Sequence, residues 1–365
     1  TYEVNCGQMA RYVFRESRLY TTTKICEAVR EFFNSNLMVS SLLLGLIMRE
    51  FGGYIEFEHF NGNMFHDDGI KLNCGRNCLA YLIESRKIKN IAIPYFNCDT
   101  VGQVCRKYDL QIRYYHINNQ FLPDDIFNDE NEWVYLVNYY GQINDDWIRE
   151  FHTKHPRLIV DNAQAYFNMP IDNIDTIYTC RKFFGVSDGA ILYTTKRISK
   201  EFPRDKSYNR MLFLLGRFEC SASEFYEDYV KNNGFFDNEP IKAMSKLTEN
   251  ILHGIDYESI KQIRTKNFAY LNHELAGDNR LKIRNVEGAF MYPFYIEGGY
   301  RLRKKLQQEK IYIPILWPDV FSLIEDGSTE YKMALNILPL PVDQRYNTSD
   351  MKYLTIRIKN VMNTI

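Results

Sequence analysis

The feature that most constrains this chain is a set of three short apolar runs, each ending abruptly in polar or special residues. Ile91-Ala92-Ile93 runs into Pro94-Tyr95-Phe96-Asn97, Trp133–Val137 into Asn138-Tyr139-Tyr140-Gly141-Gln142, and Leu158-Ile159-Val160 into Asp161-Asn162-Ala163-Gln164. A helix is expected over Asn77–Arg86, so helices and apolar runs alternate. That alternation predicts an α/β fold with a mostly parallel central sheet. In open sheets of this kind ligands collect at the carboxyl ends of the strands, which makes the three polar tails candidate walls of a site.

The remaining chain is divided by its patterning. Thr22–Met48 reads as helical, with Ile25, Val29, Phe32 and Phe33 at helical spacing. Tyr54–Phe60 alternates like a strand or hairpin arm. Beyond Thr195 the chain is helical and charged, with a long amphipathic stretch from about Glu239 to Leu275. Strand-like pieces follow at Leu281–Arg284 and Ala289–Ile296, then a charged helix over Arg301–Lys310 and a proline-rich turn at Leu338-Pro339-Leu340-Pro341. We expect a helical N-terminal extension over 1–47, a large domain over 48–250 and a smaller C-terminal α+β domain over 251–365.

Composition excludes several classes. Lys plus Arg number 45 and Asp plus Glu 46, so no net basic field draws this protein onto nucleic acid or anionic lipid. The longest apolar stretch, Leu37–Met48, is interrupted by Ser40, Ser41 and Gly45 and falls short of the roughly 20 residues a membrane span needs. The eight cysteines form no CxxC pair or zinc spacing, which suits reduced thiols and a cytoplasmic location. The seven histidines form no metal-binding pattern either, so no metal is expected.

The chemistry concentrates in Thr179-Cys180-Arg181-Lys182-Phe183-Phe184-Gly185, running into Asp188-Gly189-Ala190. A lysine in an apolar turn between two strand-like runs is expected to be desolvated. Burial would depress its pKa and leave the partly neutral amine that attacks an aldehyde and moves protons. Asp161, at the end of an apolar strand, is placed to hold a pyridine nitrogen protonated; an Asp there also serves as a cap for a following helix.

These pieces, taken in order, resemble the DegT/StrS-like sugar aminotransferases of the fold-type-I pyridoxal-phosphate (PLP) enzymes. The resemblance covers roughly Met48 to the C-terminus. It rests on Val160-Asp161-Asn162-Ala163-Gln164-Ala165 and on Lys182 standing before Gly185 and Asp188-Gly189-Ala190. It implies that Asp161 contacts the pyridine nitrogen of PLP and that Lys182 forms the Schiff base. The cofactor phosphate would lie on the helix N-terminus at Cys74-Gly75-Arg76-Asn77, where free amides and the helix dipole favour an anion. Arg76 and Asn77 replace the family's small hydroxyl residues, so either their side chains or only their amides serve. Thr179 stands in the place of a phosphate-binding serine. Gln164 and Asn138 match residues beside the ring, and Phe96, with Tyr95 as the alternative, would stack on it; Cys98 occupies a place often filled by a larger ring.

By the same resemblance the protein is expected to be an aminotransferase. It would pass an amino group from a donor such as glutamate to a keto acceptor, a nucleotide-linked keto sugar of polysaccharide biosynthesis, and work as a homodimer. Tyr208-Asn209-Arg210-Met211 is similar to a family motif that reaches the neighbouring subunit, in altered order. The segment of 21 positions from Asp161 to Lys182 is shorter than usual. Related sugar dehydratases carry histidine in place of the lysine, which Lys182 disfavours. An inactive scaffold that binds a partner is the third alternative.

Overall fold

The computed structural model describes residues 51–124, 126 and 129–364; the helical reading of Thr22–Met48 and the extension over 1–47 lie outside them. The chain forms two compact units, 1–58 and 59–365. The described part of the first, 51–58, has neither helix nor strand, and the expected strand at Tyr54–Phe60 is irregular instead.

The second unit is built on an eight-stranded sheet. Its strands are β1 (Ile70–Leu72), β2 (Asn90–Pro94), β3 (Gln111–Ile117), β4 (Pro123–Asp124), β5 (Glu132–Val137), β6 (Leu158–Asp161), β7 (Asp175–Thr179) and β8 (Ala190–Tyr193). Their spatial order is β1-β8-β7-β6-β5-β2-β3-β4. The block β7-β6-β5-β2-β3 is parallel, whereas β8 runs antiparallel between β7 and β1. The three apolar runs are the buried strands β2, β5 and β6. Runs of Ile, Val and Leu suit strands covered on both faces, where no polar face is needed.

The helices are α1 (Gly75–Arg86), α2 (Asp99–Lys107), α3 (Asp145–Lys154), α4 (Leu212–Glu219), α5 (Tyr226–Gly234), α6 (Lys246–His253), α7 (Tyr257–Leu275), α8 (Gly299–Gln308), α9 (Val320–Leu323), α10 (Thr329–Asn336) and α11 (Thr348–Met362). Helix α1 stops where Lys87 turns left-handed at φ 55°. Its last residue, Arg86, pairs with the buried carboxylate of Asp175 on β7 at 2.6 Å, which ties the helix to the sheet. The stretch Glu239–Leu275 is two helices rather than one. Ser245 caps α6 through Thr248 N, and Asp256 caps α7 through Ser259 N, so each segment carries its own start signal.

A second hydrophobic cluster gathers Phe268, Leu271 and Leu275 of α7 with residues of α8, α11 and a two-stranded sheet, β9 (Met291–Tyr295) and β10 (Ile337–Pro341). Leu338–Pro341, expected as a turn, is thus a strand, with Pro339 facing Pro293 across the antiparallel pair. Each strand of a two-stranded sheet is an edge, so a proline that donates no hydrogen bond is tolerated there. Leu281–Arg284, expected as a strand, is irregular: Arg284 spends its donors on the carbonyls of Gly141 and Gln142 instead of a ladder.

Candidate functional site

Asp161 closes β6, and its carboxylate is held from two sides. Tyr135 Oη on the adjacent β5 donates to Oδ2 at 2.9 Å, and the amide of Ala163 donates to Oδ1 at 2.8 Å. Tyr135 is buried, and burial together with the neighbouring carboxylate pushes its phenol far above its ordinary pKa, so the hydroxyl remains a donor. One further lone pair on each carboxylate oxygen stays available for a ligand.

The next strand, β7, delivers Thr179 and then the turn that carries Lys182. Cys180 N bonds Gly189 O at 3.1 Å and Thr179 faces Ala190, so 180–189 is the loop of a β7–β8 hairpin at the carboxyl end of β6 and β7. Phe183, Phe184 and Val186 point into the core, whereas Lys182 is exposed on its own chain, with its ammonium 5.7 Å from the ring centre of Phe290. The expected burial of this lysine is therefore corrected: its apolar neighbours take the interior. The turn is fixed from below. Phe183 O accepts from Arg264 Nη2 at 3.2 Å and from Gln344 Nε2 at 2.8 Å. Arg264 is buried and also donates to Ala289 O, and burial lowers its pKa to about 10.

The same loop adjoins the start of α1, because Gly189 N donates to Asn73 O at 2.6 Å. Cys74 precedes the helix in extended geometry and supplies no side-chain cap. First-turn amides are the ones a helix leaves unpaired. An ideal Cβ on Gly75 would meet only Ile177 Cγ2, at 4.0 Å, so the approach to these amides is open. The Asn77 side chain is committed elsewhere, donating to Asn73 Oδ1 at 2.7 Å and Pro240 O at 2.8 Å, and its amide donates to Cys74 O at 3.1 Å. Arg76 pairs with Asp237 at 3.0 Å, yet its Nε is buried without a partner. Arg181 Nε is likewise buried and unpartnered.

Other expected positions make contacts within the protein. Asn138 is fully buried and braces two strand ends, donating to Asn162 Oδ1 and accepting from Ile143 N, both at 3.0 Å. Gln164 Oε1 accepts from Tyr140 N at 2.8 Å, and so holds Tyr140 in its left-handed conformation at φ 51°. Phe96 is 0% exposed, enclosed by Trp317 at 4.3 Å and Tyr139 at 5.4 Å. It has no free face on which a cofactor ring would stack, which corrects that expectation. Tyr95 is itself stacked on Tyr114 at 5.0 Å. Of the Tyr208–Met211 motif, Asn209 is exposed, while Arg210 pairs with Asp205 at 2.8 Å and lies 3.8 Å over Phe235.

Tyr135, Arg181 and Arg264 went unnoticed in the sequence. Arg181 left the one usable signal, a second cation beside Lys182 in an apolar turn.

No protein-family model matches this sequence, and no curated protein does. Solved structures match it in fold. The sugar aminotransferase CalS13 from Micromonospora echinospora is 15% identical and aligns over 80% of this chain and 86% of its own, with a TM-score of 0.54. NtdA from Bacillus subtilis, solved with the cofactor PMP bound, is 12% identical over 80% and 73%, at 0.58. Helicobacter pylori PseC, an aminotransferase involved in pseudoaminic acid biosynthesis, is 12% identical over 81% and 86%, at 0.55. The fold of this chain is that of the fold-type-I PLP-dependent aminotransferases. Among the described residues no helix is long and apolar enough to cross a membrane.

Proposed function

We propose that this protein is a PLP-dependent aminotransferase. It moves an amino group from a donor such as glutamate to a keto acceptor, a nucleotide-linked keto sugar of polysaccharide biosynthesis, and acts in the cytoplasm as a homodimer. The observation that carries this reading is the arrangement of Asp161 and Lys182 at one end of adjacent strands, on a fold shared with sugar aminotransferases. The residues also fit the cofactor. The open approach to the Gly75 amide and the buried, unpartnered Nε of Arg76 suit its phosphate, and the oriented carboxylate of Asp161 suits its ring nitrogen.

When bound, the cofactor's protonated pyridine ring supplies an electron sink for the C–H bond broken beside the transferred nitrogen. Asp161 keeps the ring nitrogen protonated, and Tyr135 with the Ala163 amide keeps the carboxylate aimed. Lys182 Nζ would be the amine that holds the cofactor aldehyde, and its free amine would serve as the base and acid that moves the proton. Its exposure on one subunit is compatible with a site closed by a second subunit. The homodimer is supported by the apolar face that α4 and α5 leave exposed, just after the Tyr208–Met211 segment.

The test is an absorption spectrum with PLP before and after borohydride reduction, beside Lys182→Ala, with the reduced adduct mapped by peptide mass. An adduct on Lys182, followed by glutamate-dependent conversion to the amine form of the cofactor, supports the aminotransferase. No adduct under any condition leaves the inactive scaffold as the better reading. An adduct with dehydration of a keto-sugar nucleotide, and no amino transfer, would instead favour the dehydratase.

A further inference from the structure

Asn97, in the tail of β2, is 7% exposed, and its side chain is only half used. Oδ1 accepts from Cys98 N at 2.8 Å, which sets the orientation of the amide, because the reverse one would bring two donors together. Nδ2 is thereby a donor, and it is buried without a partner. A buried donor left unpaired is costly, so such a group is expected where an acceptor arrives from outside the chain.

The neighbouring amide is already held by a carboxylate. Asp99 N, at the start of α2, donates to Asp319 Oδ2 at 3.1 Å, and Cys98 gives the helix no side-chain cap. Asp319 belongs to the segment before α9, which Trp317 anchors on Phe96 at 4.3 Å. The contact of 317 with 96 and that of 319 with 99 lay this segment over Asn97. The carboxylate of Asp99 itself is drawn back along the helix, where Gln103 and Arg106 donate to it at 2.9 and 2.7 Å. Two donors, Asn97 Nδ2 and Asp99 N, therefore meet at a helix N-terminus, which favours an anion. Two donors without an added cation suit the two oxygens of one carboxylate better than a phosphate dianion.

The place lies at the end of the sheet that carries Asp161. β2 pairs with β5 and β5 with β6, so the carboxyl ends of β2 and β6 stand two strand spacings apart, about 10 Å. We infer that Asn97 and the Asp99 amide form the subsite for a carboxylate of the amino donor, and that Asp319 fills it as an internal substitute until the donor displaces it. The inference rests on the reading of Lys182 as the cofactor-bearing residue. Exchange of one carboxylate for another leaves the local charge unchanged. The chain keeps Asp319 close at hand, so amines that lack a carboxylate do not open the subsite.

The experiment titrates the full chain, loaded with PLP, with glutarate, a dicarboxylate that has no amine to react, and reads the heat of binding. Asn97→Leu should weaken glutarate about tenfold by removing the unpaired donor. Asp319→Ala should tighten it several-fold by removing the tethered competitor. Opposite signs at two residues of one cluster are not what general loss of packing produces. In the unaltered chain, saturating glutarate should speed amide hydrogen exchange over 319–323 while the start of α2 stays protected, a measurement that needs no variant to fold.

Absence of glutarate binding at millimolar concentration, an affinity that survives Asn97→Leu or falls with Asp319→Ala, or exchange over 319–323 that glutarate leaves unaltered overturns the subsite and leaves the role of Lys182 standing. Absence of a PLP adduct at Lys182 overturns the proposed function, and the assignment to an amino donor with it.

Discussion

The hydroxyl of Tyr135 donates to the carboxylate of Asp161 at 2.9 Å, from one strand to the next. The bond joins the two residues in the plane of the sheet and fixes which way the carboxylate faces. Tyr135→Phe removes only that donor from a buried ring. We expect PLP affinity to fall about 3- to 10-fold with a stability change within about 1 kcal/mol, read by cofactor titration and urea unfolding. Asp161→Ala should lower amino transfer by about 100-fold or more without unfolding the protein.

Arg264→Met should behave differently. It strips a donor from the carbonyls of Phe183 and Ala289 in the interior, at an expected cost of about 2–4 kcal/mol. Because Arg264 holds the carbonyl of Phe183 beside Lys182, formation of the Lys182 adduct should slow at saturating PLP. Lys182→Ala, at an exposed position, should change stability by no more than about 0.5 kcal/mol. Calorimetry and stopped-flow absorbance separate the two variants.

His66 gives a pH prediction. Its ring is buried against Tyr178 at 4.1 Å, with Nε2 at 2.7 Å from Tyr166 O and Nδ1 at 3.2 Å from Tyr193 Oη. Burial lowers its pKa from 6.5 to about 4. The unfolded chain therefore takes up a proton near pH 6.5 and the folded chain only near pH 4, so stability is complete above 6.5 and declines as the pH falls toward 4. From pH 7.5 to 5 this group should contribute a loss of about 2 kcal/mol. His66→Gln should flatten the urea-unfolding profile by that amount over the same window.

Leu215, Phe218 and Tyr226 present 61%, 92% and 62% of their surface on α4 and α5. Leu215→Arg with Phe218→Arg should leave the folded chain intact and convert a dimer to monomer in sedimentation velocity. A wild-type chain that sediments as a monomer at tens of micromolar would remove the homodimer from the proposal.

The parallel sheet was legible because β2, β5 and β6 are buried on both faces and leave continuous apolar runs in the sequence. Their tails were legible as candidate walls for the same reason. What escaped depended on distant partners. Phe96 is closed off by Trp317, far along the chain, and nothing near Phe96 signals it. The strand at Ile337–Pro341 was obscured by its prolines, which an edge strand tolerates. Lys182 was expected to be buried because its neighbours are apolar. A tight turn instead alternates its side chains between core and surface, and the interior places went to Phe183 and Phe184.

Reversal of direction at β8 separates the supports of Asp161 and Lys182. Asp161 stands on the parallel ladder, whose neighbours are reached through long crossovers, so a change in its position disturbs several strands at once. Lys182 stands on a hairpin loop closed by its own two flanking strands. What holds the loop between Cys180 and Gly189 is a separate set of bonds, those of Arg264 and Gln344 to Phe183 O, and not the ladder. The amine and the carboxylate are thus positioned by different parts of the fold, and a change at Arg264 or Gln344 displaces the first without moving the second.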